Sequence, residues 1–264
     1  MKQWIAGMCL VTLTGCAAQQ EVNSWVGAKF TAGCGAPLTQ EQQLSMNLAL
    51  DMAQEGKRHA ALAHFEQMPA NLPLVRLNKA KVLRQLNQPG AAELYSSLLN
   101  TCLAADGHQG LGQLAFAKGD IGRALEHLNA AVTRLPTDAS MRNDYALALM
   151  AHGDPAQAHF EFVTALELNP NAKITAINLV SLLLMQNKWD EAAALSARMG
   201  LSADNMRSAK QQAEQYRQPQ VATQSVPTVA EPAVSPTPST PAAPTSSVTA
   251  ADIARALSAT LEQP

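Results

Sequence analysis

Aromatic side chains are scarce in this sequence of 264 residues, at 4% of the chain. Strands of sandwiches and barrels favour aromatic and β-branched residues, so this scarcity argues against an all-β fold. The formal net charge is only −2, and the sequence contains no stripe of basic residues. Nucleic-acid binding is therefore not expected, because it depends on clustered positive charge and on stacking aromatic rings.

Motifs of catalysis and of cofactor binding are also missing. No Gly-rich phosphate loop, nucleophile elbow or isolated carboxylate pair occurs in the sequence. The six histidines lack metal-ligand spacing, since His59 and His64 are five residues apart and not the four that would share a helix face. We therefore expect no enzyme, no cofactor, no metal and no small-molecule substrate.

What the chain does have is a repeat of 34 residues between Ala105 and Asp204. The period appears in columns of like residues: Gly119 and Gly153; Ala124, Ala158 and Ala192; Ala131 and Ala165; Pro136 and Pro170. A period of this length is typical of stacked supersecondary units, each of which buries its apolar face against its neighbours.

Each repeat has the pattern of an antiparallel helix pair. In one unit, residues 143–151 and 156–168 carry apolar residues at helical spacing, and residues 153–155 form a short turn between them. Pro170 ends the second helix, because proline cannot continue the hydrogen-bond ladder.

The turns between paired helices carry the acidic residues Asp120, Asp154 and Asp190. An aspartate placed just before a helix accepts a hydrogen bond from a free backbone N–H of the first turn. We expect all three to cap second helices.

These columns resemble the tetratricopeptide repeat. That family places a small residue in the first helix, then Ala, a large residue, Ala and Pro in the second, and two units here match in order: Gly112, Ala124, Leu128, Ala131 and Pro136, then Ala146, Ala158, Phe162, Ala165 and Pro170. The third unit has Met199 and Asp204 where Ala and Pro are usual, as a terminal repeat should.

Two imperfect repeats precede these units, at residues 39–69 and 72–101, and a helix at about 202–217 is expected to cover the far end. The resemblance thus implies an all-α superhelical solenoid over residues 39–217, with about five helical hairpins plus a capping helix.

The start of the chain has the layout of a lipoprotein signal peptide, residues 1–15. Lys2 precedes an apolar run too short to span a bilayer, and Leu13-Thr14-Gly15-Cys16 resembles the bacterial lipobox, whose cysteine is lipidated. A plain signal peptide with an incidental cysteine is the alternative. Ala17, in place of the Asp linked to inner-membrane retention, favours the outer membrane. The expected location is the outer membrane, lipid-anchored at Cys16 and facing the periplasm.

Residues 16–38 form an N-terminal anchor and lead-in segment. Once the signal is cleaved and Cys16 is lipidated, Cys34 and Cys102 are the cysteines left over. An oxidising periplasm makes a disulfide between them the expected state, and two separate buried thiols are the alternative.

The C-terminal part changes composition abruptly. Residues 218–248 contain seven prolines and a single charge, so we expect a disordered, polyproline-like tether. Residues 249–264 regain a helical pattern, with Ile253, Leu257 and Leu261 on one face. This short amphipathic helix is either a docking helix for a partner or a frayed end.

First-helix residues are expected to line a concave groove that binds a peptide segment. The candidates are the amide and apolar residues Gln109, Gln113, Phe116, Asn143, Leu147, Met150, Ile177 and Ser181, and the set continues with Met46, Asn47, Leu50 and Leu184. The basic residues with which some tetratricopeptide domains clamp a carboxylate are missing from this set. For its apolar members, burial in the core is the alternative.

Part of the repeat region resembles a more specific family. The segments 135–139, 142–149 and 165–170 are similar to the TadD family, the tetratricopeptide lipoproteins of tight-adherence (Flp) pilus assembly, and the run Arg142-Asn143-Asp144-Tyr145-Ala146 is the most particular part of the match. The resemblance implies a scaffold or pilotin role toward the outer-membrane secretin and other Tad/Flp pilus assembly proteins. A periplasmic adaptor for cell-wall hydrolases or proteases, and a subunit of the outer-membrane protein insertion machinery, are the alternatives.

Overall fold

A computed structural model describes residues 38–217. Within these residues the chain forms eleven helices and no strand: α1 (Gln40–Gln54), α2 (Arg58–Gln67), α3 (Pro73–Gln85), α4 (Ala91–Ser96), α5 (Ala104–Ala117), α6 (Ile121–Arg134), α7 (Ala139–His152), α8 (Pro155–Leu168), α9 (Lys173–Met185), α10 (Trp189–Met199) and α11 (Ala203–Arg217). None of these described helices is both long and apolar enough to cross a membrane.

Neighbouring helices pair in chain order, from α1 with α2 to α9 with α10, and α11 packs against α9. The predicted all-α fold of five hairpins and a capping helix is thereby confirmed. The signal peptide, Cys16, Cys34, the Pro-rich tether and the tail residues Ile253, Leu257 and Leu261 lie outside the described residues. Cys102 is exposed in the turn before α5, and its pairing with Cys34 stays a prediction.

A residue with positive φ sits in the turn of every hairpin. The set is Gly56 (78°), Asn87 (52°), Gly119 (77°), Gly153 (91°) and Asn187 (61°). The left-handed conformation ends the first helix and redirects the chain, and only glycine and asparagine adopt it at low cost. This requirement explains why the repeat keeps Gly119 and Gly153 at the same step and places an asparagine at the next.

Aspartate caps begin the second helices of the third and fourth hairpins. Asp120 and Asp154 each accept a hydrogen bond at 3.1 Å from the backbone N–H three residues later. The expectation for Asp190 is wrong, because the residue 34 positions after Asp154 is Lys188, which precedes α10, and Asp190 lies inside the first turn. Asp138 caps a first helix, α7, because its Oδ1 atom accepts a hydrogen bond at 2.9 Å from the backbone N–H of Met141. The expectation from the sequence concerned second helices only.

The small-residue columns let paired helices approach closely. Ala124, Ala158 and Ala192 are at most 1% exposed. A Cβ atom on Gly112 would lie 2.5 Å from Cγ of Leu128, so only glycine fits where α5 crosses α6. One continuous apolar core results, running from α5 to α11 with Phe162 fully buried near its middle.

Candidate partner-binding groove

The apolar residues predicted to line the groove are buried. Phe116, Leu147, Met150 and Ile177 are between 2% and 6% exposed and belong to the continuous core. Ser181 is fully buried, and Met46 and Leu184 are buried as well. Of the two alternatives for the apolar members, burial in the core therefore describes their positions in the structure.

The polar candidates on α5 meet at a buried carboxylate on α7. The side-chain nitrogens of Gln109 and Gln113 both donate to Oδ2 of Asp144 at 2.7 Å, and Gln109 also donates to Ser140 Oγ at 3.1 Å. Asp144 is only 4% exposed. Burial raises the pKa of the Asp144 carboxyl, and the hydrogen bonds from Gln109 and Gln113 offset part of this shift.

Hydrogen bonds continue this network to the capping helix. Asn143 donates to Asp144 Oδ1 at 3.4 Å and accepts from Asn178 at 2.9 Å. Gln212 of α11 donates to Asn178 Oδ1 at 3.3 Å, and Ser181 Oγ donates to Gln212 Oε1 at 2.7 Å. We call this network the polar ladder; its members are Gln109, Gln113, Asn143, Asp144, Asn178, Ser181 and Gln212.

Sequence reasoning missed Asp144, Asn178 and Gln212. A signal for them was present, because the three residues are spaced at the 34-residue step of the repeat. A polar column at the repeat period, set among buried positions, predicts side chains that bond to one another from unit to unit.

Two cavities adjoin at Gln113. One has a volume of about 420 Å³ and is lined by polar residues of α7, of the α8–α9 turn and of the start of α9, including Ser140, Asn143, Asn171 and Lys173. The other has a volume of about 580 Å³ and is lined by the α3–α4 turn, by α4 and by the end of α5. Because Gln113 lines both cavities, we treat them together as the central groove.

The central groove combines amide groups with a few charges. Asn143, Asn169, Asn171 and Gln113 supply donors and acceptors on its α7–α9 side, and Lys173 adds a positive charge there. Arg84, Glu93 and Lys118 line the α3–α5 side. No group of three or more His, Cys, Asp or Glu side chains suited to a metal ion occurs in residues 38–217.

The run Arg142 to Ala146, which carried the more specific resemblance, has structural roles. Arg142 Nη1 contacts Glu161 of α8 at 2.5 Å, and both side chains are largely buried. Arg142 Nε also donates to the Pro136 carbonyl at 2.6 Å. Within this run, Arg142 links the two helices of the fourth hairpin through Glu161. Asn143 and Asp144 link that hairpin to its neighbours through the polar ladder.

Stacked helix pairs with small residues at their crossings define a helical-repeat solenoid. Tetratricopeptide repeat family models match residues 110–167 and 149–213. TPR repeat-containing protein PA4299 of Pseudomonas aeruginosa is 41% identical over 210 residues, which cover 80% of this chain and 83% of that protein. The chain belongs to the tetratricopeptide repeat family, whose repeats mediate protein–protein interactions.

Solved structures share the fold at lower sequence identity. A thermophilic TPR protein of Thermus thermophilus, TTC0263, is 22% identical with a TM-score of 0.53, and the match covers 66% of this chain and 97% of that one. The pilF protein of Pseudomonas aeruginosa is 19% identical with a TM-score of 0.52, over 66% of this chain and 87% of that one. These two likenesses concern the fold alone.

Proposed function

We propose that this protein is an outer-membrane lipoprotein that acts as a scaffold or pilotin in Flp (tight-adherence) pilus assembly and binds a partner segment in the central groove. The observation that carries the proposal is the groove itself, a pair of cavities whose walls come from four successive hairpins, the second to the fifth. Each cavity lies within the size range of ligand-binding sites, roughly 300–1,000 Å³.

The polar ladder prepares the groove for a peptide. Asp144 holds the side-chain nitrogens of Gln109 and Gln113, so these side chains are fixed before a partner arrives. Prior ordering lowers the entropy cost of binding, about 0.5–1.5 kcal/mol for each side chain that is already immobilised. Amides that donate and accept suit the N–H and C=O groups of an extended segment.

Lys173 gives the groove a preference for charge. It is exposed at the start of α9, beside the neutral amides Asn169 and Asn171. A partner segment with an acidic side chain or a carbonyl oxygen directed at Lys173 would gain a charge-assisted hydrogen bond. We therefore expect a polar segment that is neutral or acidic.

The lipobox-like motif ending at Cys16 supports the proposed location. Each buried methylene of an acyl chain contributes about 0.8 kcal/mol, and stable anchoring takes more than one chain. A lipid-anchored scaffold would hold its partner close to the membrane in which a secretin assembles. The resemblance of residues 142–149 to TadD-family lipoproteins points to that secretin as the partner.

Gene deletion with complementation tests the proposal. The deletion strain is expected to lose surface Flp pili and to contain less secretin in its outer membrane. The wild-type chain should restore both. Ser140→Trp, which places a large side chain at the cavity wall, should restore neither at an equal protein level. Ser208→Trp, at an exposed serine on α11, is the matched control and should complement.

Four outcomes would overturn parts of this proposal. Normal piliation in the deletion strain rejects the role in pilus assembly. A general defect in outer-membrane protein insertion would assign the protein to the insertion machinery, and altered cell-wall cleavage would indicate a hydrolase adaptor. Full complementation by Ser140→Trp would reject the central groove as the binding site.

A further inference from the structure

A third cavity lies outside the central groove, between α8 and α10. Its volume is about 420 Å³, and Val163, Leu166, Leu179 and Met199 give it an apolar lining. Glu167 and Arg198 are its charged members, and both are exposed. We call it the side cavity. It shares no lining residue with the central groove.

The apolar surface of the side cavity extends along α8. Phe160 precedes Val163 by three residues, so the two side chains share one face of the helix. Phe160 is 61% exposed, which is unusual for one of only five phenylalanines in the chain. Together, Phe160 and the apolar side chains of the cavity offer apolar surface on which a further apolar segment can pack.

We propose that the side cavity is the docking site of the chain's own C-terminal segment, residues 249–262. The sequence predicts a helix there, with Ile253, Leu257 and Leu261 along one face and Arg255 on the opposite face. An uncharged apolar stripe of this kind matches the apolar side chains of Val163, Leu166, Leu179 and Met199 in the side cavity.

The end of α11 lies within easy reach of the side cavity. Arg217 donates to the Leu184 carbonyl and, at 2.8 Å, to Asn187 Oδ1, so α11 ends beside the α9–α10 turn. The side cavity includes Met199, at the other end of α10. The eleven residues of α10 span about 16 Å at the helical rise.

The tether is long enough for this distance. Residues 218–248 number 31, and at about 3.1 Å per residue a proline-rich linker of that length can reach up to about 96 Å, several times the length of α10. Because the segment belongs to the same chain, its docking is an intramolecular event. A helix of 14 residues is marginal in water, and burial of its apolar stripe in the side cavity would stabilise it.

Site-specific photo-crosslinking in the purified full-length chain tests the occupant. A benzophenone side chain in place of Leu257 should form adducts within one chain, to peptides of α8 or α10, in a yield independent of protein concentration. The same probe in place of Arg255 is the matched control and should form few. Adducts between chains, adducts to the central groove or no adduct from position 257 would each overturn the proposal.

Amide hydrogen exchange supplies a second readout that does not depend on the probe. Phe160→Asp should make the amides of residues 249–262 exchange about tenfold faster, because it places a charge on the apolar surface they cover. Leu44→Asp, at a site on α1 that is 71% exposed, should leave that exchange unchanged. Equal exchange in Phe160→Asp and the wild type, with the fold intact by circular dichroism, would contradict tail docking. The result does not depend on pilus assembly, so it is separable from the proposed function.

Discussion

Gly112 and Gly122 lie in the two helices of the third hairpin but have different surroundings. A Cβ atom on Gly112 would meet Leu128 at 2.5 Å, whereas one on Gly122 would meet only Asp120 Oδ1, at 3.9 Å. Gly112→Ala should destabilise the protein by about 1–3 kcal/mol, since the buried Leu128 must move. Urea unfolding followed by circular dichroism measures this.

Gly122→Ala is the matched control for the same hairpin. Its methyl group meets open space, and alanine favours a helix over glycine by up to about 1 kcal/mol. We therefore expect equal or higher stability. A Gly112→Ala protein as stable as the wild type would show that α5 and α6 do not cross as closely as described.

The buried carboxyl of Asp144 should make the stability of the protein depend on pH. Burial raises the pKa of its carboxyl in the folded state above the unfolded value of about 4. The folded protein then binds more protons than the unfolded chain in the window between the two values. The fold is therefore most stable with respect to Asp144 when its carboxyl is protonated, below pH about 4. This stabilisation is lost as the pH rises through the folded-state pKa.

Asp144→Asn removes this titration while keeping the side-chain volume. The difference in unfolding free energy, wild type minus Asp144→Asn, should fall as the pH is raised from about 4 toward neutrality. Urea unfolding at a series of pH values measures it, with the exposed Asp190→Asn as a charge control. A difference that rises with pH would mean that the hydrogen bonds from Gln109 and Gln113 outweigh desolvation.

At the scale of the helices, the N-caps distinguish a correct expectation from a wrong one. Asp154 accepts from the backbone N–H of Gln157, and Asp190 lies beyond the cap position of α10. Asp154→Ala should cost about 1 kcal/mol of stability, and Asp190→Ala less than half of that. Equal losses in the two variants, measured by thermal or urea unfolding, would contradict the assignment of the caps.

Helix pairing was predictable because several positions of the repeat indicate it independently. One period of 34 residues relates Gly119 to Gly153, the alanines to one another, and the two prolines. Each of these positions needs a particular backbone conformation or a small side chain at a helix crossing, and only one or two residue types meet that need. The site was less predictable. Whether Leu147 or Met150 faces a groove or the core depends on how neighbouring hairpins pack, and a helical pattern carries no such information. Asp144 was missed because the two donors to its Oδ2 atom, Gln109 and Gln113, belong to a different repeat.

At the scale of the whole molecule, the proposed lipid anchor gives a test of location. Cys16→Ser removes the sulfur that would carry lipid, so the chain should leave the outer-membrane fraction and appear as a soluble or unprocessed form. Cell fractionation with immunoblotting measures this, and Cys9→Ser, which keeps the lipobox-like motif, is the control. A Cys16→Ser chain that stays in the outer membrane like the wild type would reject the anchor.

The central claim is that a tetratricopeptide scaffold binds a partner through the groove centred on Gln113. The most direct measurement is photo-crosslinking in living cells, with a benzophenone side chain in place of the exposed Asn171 at the groove rim or of Ser208 on α11. We predict a light-dependent adduct from position 171 that contains the outer-membrane secretin, and no such adduct from position 208. No adduct from position 171, or the same adducts from both positions, would contradict partner binding in the central groove.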